Sequence, residues 1–136
     1  MIALDTNVLL RLIVDDPDDD QAPAQRERAA RLVDAAIARG ERLLVTDVAL
    51  CELVWAMRRS YGIPRAEVRQ TLAGLANARH LAFEEPQGVS RAAAAYAAGR
   101  GDFADYLIRE RAQQAGCEAV ATFDRGVLRD GGFREV

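Results

Sequence analysis

Four carboxylates stand where the chain passes between strand and helix, or within helices of otherwise apolar residues: Asp5, Glu52, Asp105 and Asp124. Their contexts are Leu4-Asp5-Thr6-Asn7, Cys51-Glu52-Leu53-Val54-Trp55, Asp102-Phe103-Ala104-Asp105-Tyr106-Leu107-Ile108 and Thr122-Phe123-Asp124-Arg125. A carboxylate among apolar neighbours is costly unless a cation meets it. If the fold gathers the four, each pair about 5 Å apart repels by about 3 kcal/mol at an effective dielectric of about 20. Protons or a divalent cation relieve that repulsion, and oxygen-only ligands select a hard ion, Mg²⁺ or Mn²⁺.

Each acid alone also has a plainer role. Asp5 suits a helix cap or a turn, and Asp124, before Arg125-Gly126, suits a turn. Glu52 has only apolar helical neighbours in Val48, Ala49, Trp55 and Ala56, so it is either a buried ligand or an edge residue reaching water. Asp102 follows Gly101 and precedes another acid by three residues, the pattern of an N-cap opening a capping box. Asp105 lies a turn into that helix, beyond the reach of capping, and its plain alternative is a salt bridge to Arg109 at i+4. The run Asp15-Asp16-Pro17-Asp18-Asp19-Asp20 reads as a solvated loop rather than a metal site.

The remaining composition narrows the chemistry. All 18 basic residues are arginine and the net charge is −3, so bulk electrostatics do not draw nucleic acid, although arginine clusters suit phosphate locally. Without lysine, a phosphate-loop NTPase of the usual kind and Schiff-base chemistry are excluded. The single histidine, His80, argues against multi-histidine zinc sites and serine–histidine triads, and is expected to be structural or superficial. Cys51 and Cys117 have no ligand-spaced partners and predict free thiols. Met1 runs directly into Ile2-Ala3-Leu4, with no hydrophobic leader and no apolar stretch of membrane-spanning length, so a cytoplasmic protein without membrane association is expected.

The elements that must position these acids alternate. Ile2-Ala3-Leu4 predicts a strand, and Val8 to Val14 a helix. A second helix over about Ala24 to Ala38 is stopped by Gly40, and a strand follows at Arg42 to Thr46. Asp47 is expected to cap a helix reaching Met57, and Pro64 to open another ending near Asn77. Leu81 to Glu84 predicts a third strand, Pro86 to Ala98 a helix, Gly99-Arg100-Gly101 a hinge, and Phe103 to Ala115 a further helix. Ala119 to Phe123 predicts a fourth strand and Phe133 to Val136 a fifth. The pattern implies one α/β domain over residues 1–136, with a central parallel sheet of four to five strands and helices on both faces. In such sheets ligands bind beyond the carboxyl ends of the strands, where Asp5 and Asp124 fall.

The opening Met1-Ile2-Ala3-Leu4-Asp5-Thr6-Asn7-Val8-Leu9, the segments Thr46 to Trp55 and Asp102 to Ile108, and Ala121-Thr122-Phe123-Asp124-Arg125 resemble, in order, the acidic motifs of PIN-domain nucleases. In particular they look like the VapC-type toxins of bacterial toxin–antitoxin pairs. The resemblance implies a Mg²⁺- or Mn²⁺-dependent endoribonuclease whose metal ligands are Asp5, Glu52, Asp105 and Asp124. Asp105 fits the family pattern of a Leu-Ile pair one residue after the third acid, and Asp102 does not. Thr6, Asn7 and Thr122 resemble the polar residues lining such sites, whereas Arg109 stands where many relatives carry alanine.

The same resemblance implies a cognate VapB-like antitoxin covering the site, an RNA substrate and a homodimer. Arg11 and Arg58 are expected to grip flanking phosphates, and no aromatic stacking platform is legible. Two rival readings are a PIN nuclease acting on DNA or structured flaps, against which the length argues, and a catalytically idle binding module. Metal-dependent RNA cleavage separates the module from the enzymes.

Overall fold

The computed structural model describes residues 1–136, which divide into two compact units, Met1–Glu84 and Glu85–Val136. In the first unit the elements run β1 (Ile2–Ala3), α1 (Thr6–Ile13), α2 (Ala22–Ala38), β2 (Leu43–Val45), α3 (Asp47–Arg59), α4 (Arg65–Asn77) and β3 (Leu81–Phe83). The strands form a parallel sheet in the order β1-β2-β3, with Ile2 opposite Leu43 and Leu43 opposite Leu81. Parallel neighbours need a crossover. Here each crossover is a pair of helices, α1–α2 between β1 and β2 and α3–α4 between β2 and β3.

Local chemistry sets these boundaries. Asp5 has the extended backbone of an N-cap, so the chain turns from β1 into α1 there. Pro23 sits in the first turn of α2, and past its end Gly40 adopts a φ of 67°, open to glycine without steric cost. The cap of α3 is Thr46 rather than the expected Asp47: Thr46 is extended and its hydroxyl accepts from Ala49 N–H at 3.2 Å. Asp47 is already helical, where its charge favours the helix N-terminus. Leu50, Leu53 and Met57 of α3, Val68 and Leu72 of α4, and Leu43 and Val45 of β2 are almost fully buried.

The second unit comprises α5 (Pro86–Ala98), α6 (Phe103–Gln114), β4 (Val120–Thr122) and β5 (Phe133–Glu135), with a 3₁₀ turn at Arg125–Val127 that the sequence did not announce. Strands β4 and β5 pair in parallel, Val120 opposite Phe133 and Thr122 opposite Glu135. The expected central sheet of four to five strands is therefore found as a three-stranded and a two-stranded sheet, because β4 takes its ladder partner from the C-terminal segment. The expected hinge at Gly99-Arg100-Gly101 is a packed turn. Gly101 N–H donates to the Tyr106 hydroxyl at 2.9 Å, that hydroxyl donates to Asp130 at 2.6 Å, and a Cβ on Gly101 would lie 2.6 Å from Val127.

A carboxylate clasp holds α5 to α6. Glu85 caps α5 by accepting from Gln87 N–H at 3.0 Å and from Gly88 N–H, while Gln114 of α6 donates to it at 2.6 Å. Beside it, Arg91 of α5 meets the buried Glu110 of α6 at 2.6 Å. No helix in either unit is long and apolar enough to cross a membrane.

Candidate metal centre

In the first unit Asp5 and Glu52 line one pocket of about 390 Å³, together with Asn7, Trp55, Ser60 and Tyr61. Asp5 ends up there because it follows β1 at the carboxyl edge of the sheet. Although it occupies the N-cap position of α1, its side chain makes no capping hydrogen bond, which leaves both oxygens available. The next residue, Thr6, is buried, and its hydroxyl donates to Glu52 Oε2 at 2.6 Å. One turn of α1 thus supplies one carboxylate and orients a second on α3.

Glu52 is exposed, not sunk in an apolar face as its neighbours suggest. Helix α3 buries the side carrying Ala49, Leu50, Leu53, Val54 and Met57, whereas Val48 and Trp55, at 68% and 62% exposure, share the open side with Glu52. A helix apolar around most of its circumference gives no periodicity from which to choose the buried side.

In the second unit Asp102 is the N-cap of α6 and forms a capping box with Asp105. Asp105 Oδ2 accepts from Asp102 N–H at 3.0 Å. Capping is thus still available to Asp105, contrary to expectation, because a side chain at the third helical position reaches back to the cap. The carboxyl pKa of Asp105 is raised, first by burial and then by repulsion from Asp102 and Asp124, with the Asp102 N–H partly offsetting both. Asp124 follows β4, where its N–H donates to Thr122 Oγ1 at 3.0 Å and its Oδ1 accepts from Gly126 N–H at 2.8 Å. Its turn role and its nearness to Asp105 coexist.

The ion pairs join arginines to Asp15, Asp16, Asp19, Glu27, Glu41, Glu85, Glu110 and Glu135. None involves Asp5, Glu52, Asp105 or Asp124. Arg109 does not neutralise Asp105: its guanidinium lies over the rings of Tyr106 and Phe133, at 5.2 and 5.6 Å, and donates to the Gly131 carbonyl at 2.9 Å. Within neither unit do three or more His, Cys, Asp or Glu side chains converge as a ligand group. The donor chemistry nonetheless fits a hard divalent ion, since each unit offers two carboxylates without a cationic partner and Mg²⁺ commonly takes one or two.

Two arginines expected at phosphate are engaged elsewhere. Arg11 pairs with Asp16 and Asp19 and donates to Gln25 Oε1 at 2.6 Å, which also accounts for much of the acidic loop. Arg58 donates to the Ile63 carbonyl at 2.9 Å, holding the chain beyond α3. Arg59, its neighbour, is exposed and engages no acid. Burial, aided by the charge of Asp47, pushes the Cys51 thiol up to about 11, so it is protonated at neutral pH and unsuited to nucleophilic work. Sequence reasoning missed Trp55 and Ser60 as pocket residues and Glu84, whose carboxylate accepts from Asp47 N–H at 2.7 Å. The three-residue spacing from Glu52 to Trp55 was the available signal for the indole.

Parallel strands joined by helical crossovers, with Asp5 following β1 and Asp124 following β4, describe an α/β fold that places acids beyond the strand ends. The chain matches the PIN domain family over residues 2–132 and belongs to that family. PIN domains are generally nucleases and typically use divalent metal ions. No curated protein matches the chain.

Proposed function

We propose that this PIN-domain protein is a Mg²⁺- or Mn²⁺-dependent endoribonuclease and the toxin of a VapBC-like toxin–antitoxin pair. The observation that carries the reading is the pocket shared by Asp5 and Glu52, in which Thr6 orients the Glu52 carboxylate and neither acid pairs with an arginine. Asp5 and Glu52 from the first unit, and Asp105 and Asp124 from the second, are the proposed oxygen ligands. A divalent ion held by carboxylates of this kind would activate water and neutralise charge on the scissile phosphodiester.

The chain's own residues prepare that chemistry. Thr6 fixes one carboxylate oxygen of Glu52 and leaves the other open. Asp105 keeps one oxygen on the Asp102 N–H and has the other for a ligand. Ionised Asp105 is disfavoured first by burial and then by Asp102 and Asp124, and a bound cation would oppose that preference.

The toxin reading adds a cognate VapB-like antitoxin and a homodimer, supported by the motif resemblance, and a cytoplasmic setting, with which the free thiols of Cys51 and Cys117 agree. Cleavage of RNA by the purified chain with Mg²⁺, with Mn²⁺ and with chelator is the direct test. Metal-dependent internal cleavage is the expected result. Cleavage indifferent to chelator would remove the metal reading, and cleavage of DNA alone would favour a non-toxin PIN nuclease.

A further inference from the structure

The open side of α3 carries more than a ligand. Glu52, Trp55 and Arg59 follow at intervals of three and four residues, so they lie along one face of the helix. The rise of about 1.5 Å per residue sets them roughly 4.5 Å and 6 Å apart along the axis. Trp55 is 62% exposed and lines the pocket that holds Asp5 and Glu52. An indole left in water beside two carboxylates is not core packing.

We propose that Trp55 is the stacking platform for a base next to the scissile phosphate of single-stranded RNA, and that Arg59 pairs with the following backbone phosphate. The proposal rests on the nuclease reading above and gives the substrate strand its direction, from the Asp5–Glu52 pocket toward the C-terminal end of α3. Base–aromatic stacking tolerates any sequence and contributes strongly per base. Arg59 has its guanidinium uncommitted, whereas Arg58 is held by Ile63. The helix face suits a nucleic-acid strand because it sets an exposed indole one turn from an exposed guanidinium, matching the alternation of base and phosphate.

Trp55 is the single tryptophan of the chain, so its emission reports on this face alone. The experiment titrates the Asp5→Asn protein, which under the nuclease reading does not turn the probe over, with single-stranded octa-adenylate RNA. Saturable quenching is expected. With end-labelled octamer, Trp55→Ala should weaken binding about tenfold and Trp55→Phe should restore most of it. Arg59→Ala should lower the salt slope by about 0.7. In the otherwise native protein Trp55→Ala should raise KM and leave kcat nearly unchanged.

A parent chain that cleaves RNA while Trp55→Ala binds and cleaves unchanged would overturn the platform and keep the nuclease. A parent chain that cleaves no RNA yet shows the quenching would overturn the nuclease and keep the platform. An emission blue shift that grows with protein concentration, without RNA, would assign this face to a second copy of the chain and overturn the proposal.

Discussion

The Thr6 hydroxyl donates to the Glu52 carboxylate at 2.6 Å across 46 residues of sequence, tying the first turn of α1 to the middle of α3. Thr6 is buried and Glu52 exposed, so the bond is anchored at its donor end. Partners that orient a ligating carboxylate commonly matter tenfold or more to metal affinity. Thr6→Val keeps the branched shape and removes the donor. Calorimetric titration with Mn²⁺ is expected to show affinity lower by about tenfold, with a melting temperature within a few degrees of the parent. Unchanged affinity would mean that Glu52 needs no orientation or binds no ion.

Asp5 tests the centre itself. Its carboxylate lies in the Asp5–Glu52 pocket without a capping bond or a cation. Asp5→Asn should abolish metal-dependent cleavage while the metal-free protein melts at the parent temperature or above, since one negative charge leaves the pocket. An unfolded or fully active variant would remove Asp5 from the proposed ligand set.

How much of this was legible beforehand depends on the length scale of the signal. Helix α5 runs from Pro86 to Ala98 as the sequence implied, because proline at its start and glycine after its end are local marks. The capping role of Asp102 was equally local. The burial of Glu110 against Arg91 was not legible, nor was the engagement of Arg11 by Asp16 and Asp19, because each depends on where distant side chains meet. Glu52 was left between a buried ligand and an edge residue reaching water for the same reason: α3 carries apolar residues on both sides, and only packing decides that Val48 and Trp55 stay in solvent beside it. Division of the strands between two sheets is likewise a property of pairing, not of any one strand.

Asp102 and Asp105 should separate cleanly by function. Asp102→Ala removes the N-cap residue of α6 and is expected to cost about 1 kcal/mol, or about 3–5 °C in melting temperature for a chain of this size, while retaining cleavage. Asp105→Ala also loses the back-bond to Asp102 N–H but is expected to eliminate cleavage. Parallel rates and melts decide the matter. The reverse order of activities would make Asp102 the ligand.

Asp105 also carries a pH signature. Its folded pKa lies above its ordinary value of 3.8, so between those two values the native chain holds a proton that the unfolded chain has released. Native stability from this group therefore falls as pH rises through that window, and at neutral pH the ionised carboxylate is destabilising. Asp105→Asn should melt higher than the parent at neutral pH in chelator, with the advantage shrinking as pH drops below the ordinary value. An advantage that does not vary with pH would assign it to something other than this charge.

Arg91 and Glu110 offer a check on stability away from the candidate centre. Glu110 is 3% exposed, and its closest cation is the Arg91 Nε at 2.6 Å. Removing one partner of a buried pair leaves a desolvated charge, but the Arg91 side chain is half exposed, so Arg91→Ala should destabilise the chain by less than the loss of a fully buried pair. Glu110→Gln, which leaves no buried charge, should cost less. Urea melts of the two variants test the ranking. Equal losses would show that shape rather than charge governs the contact.

The proposed antitoxin should act through the same unpaired oxygens. A pocket of carboxylates without cations attracts any basic group, and a guanidinium can pair bidentately with a carboxylate. The expectation is therefore that the partner inserts an arginine or lysine at Asp5 and Glu52 and competes with Mg²⁺ there. Raising Mg²⁺ should weaken inhibition, and replacing that basic residue of the partner with alanine should weaken it further. Within this chain, Glu52→Gln should lower affinity for the antitoxin as well as for the metal. Inhibition that ignores Mg²⁺ and both substitutions would instead locate the block on the path of the RNA, away from the carboxylates.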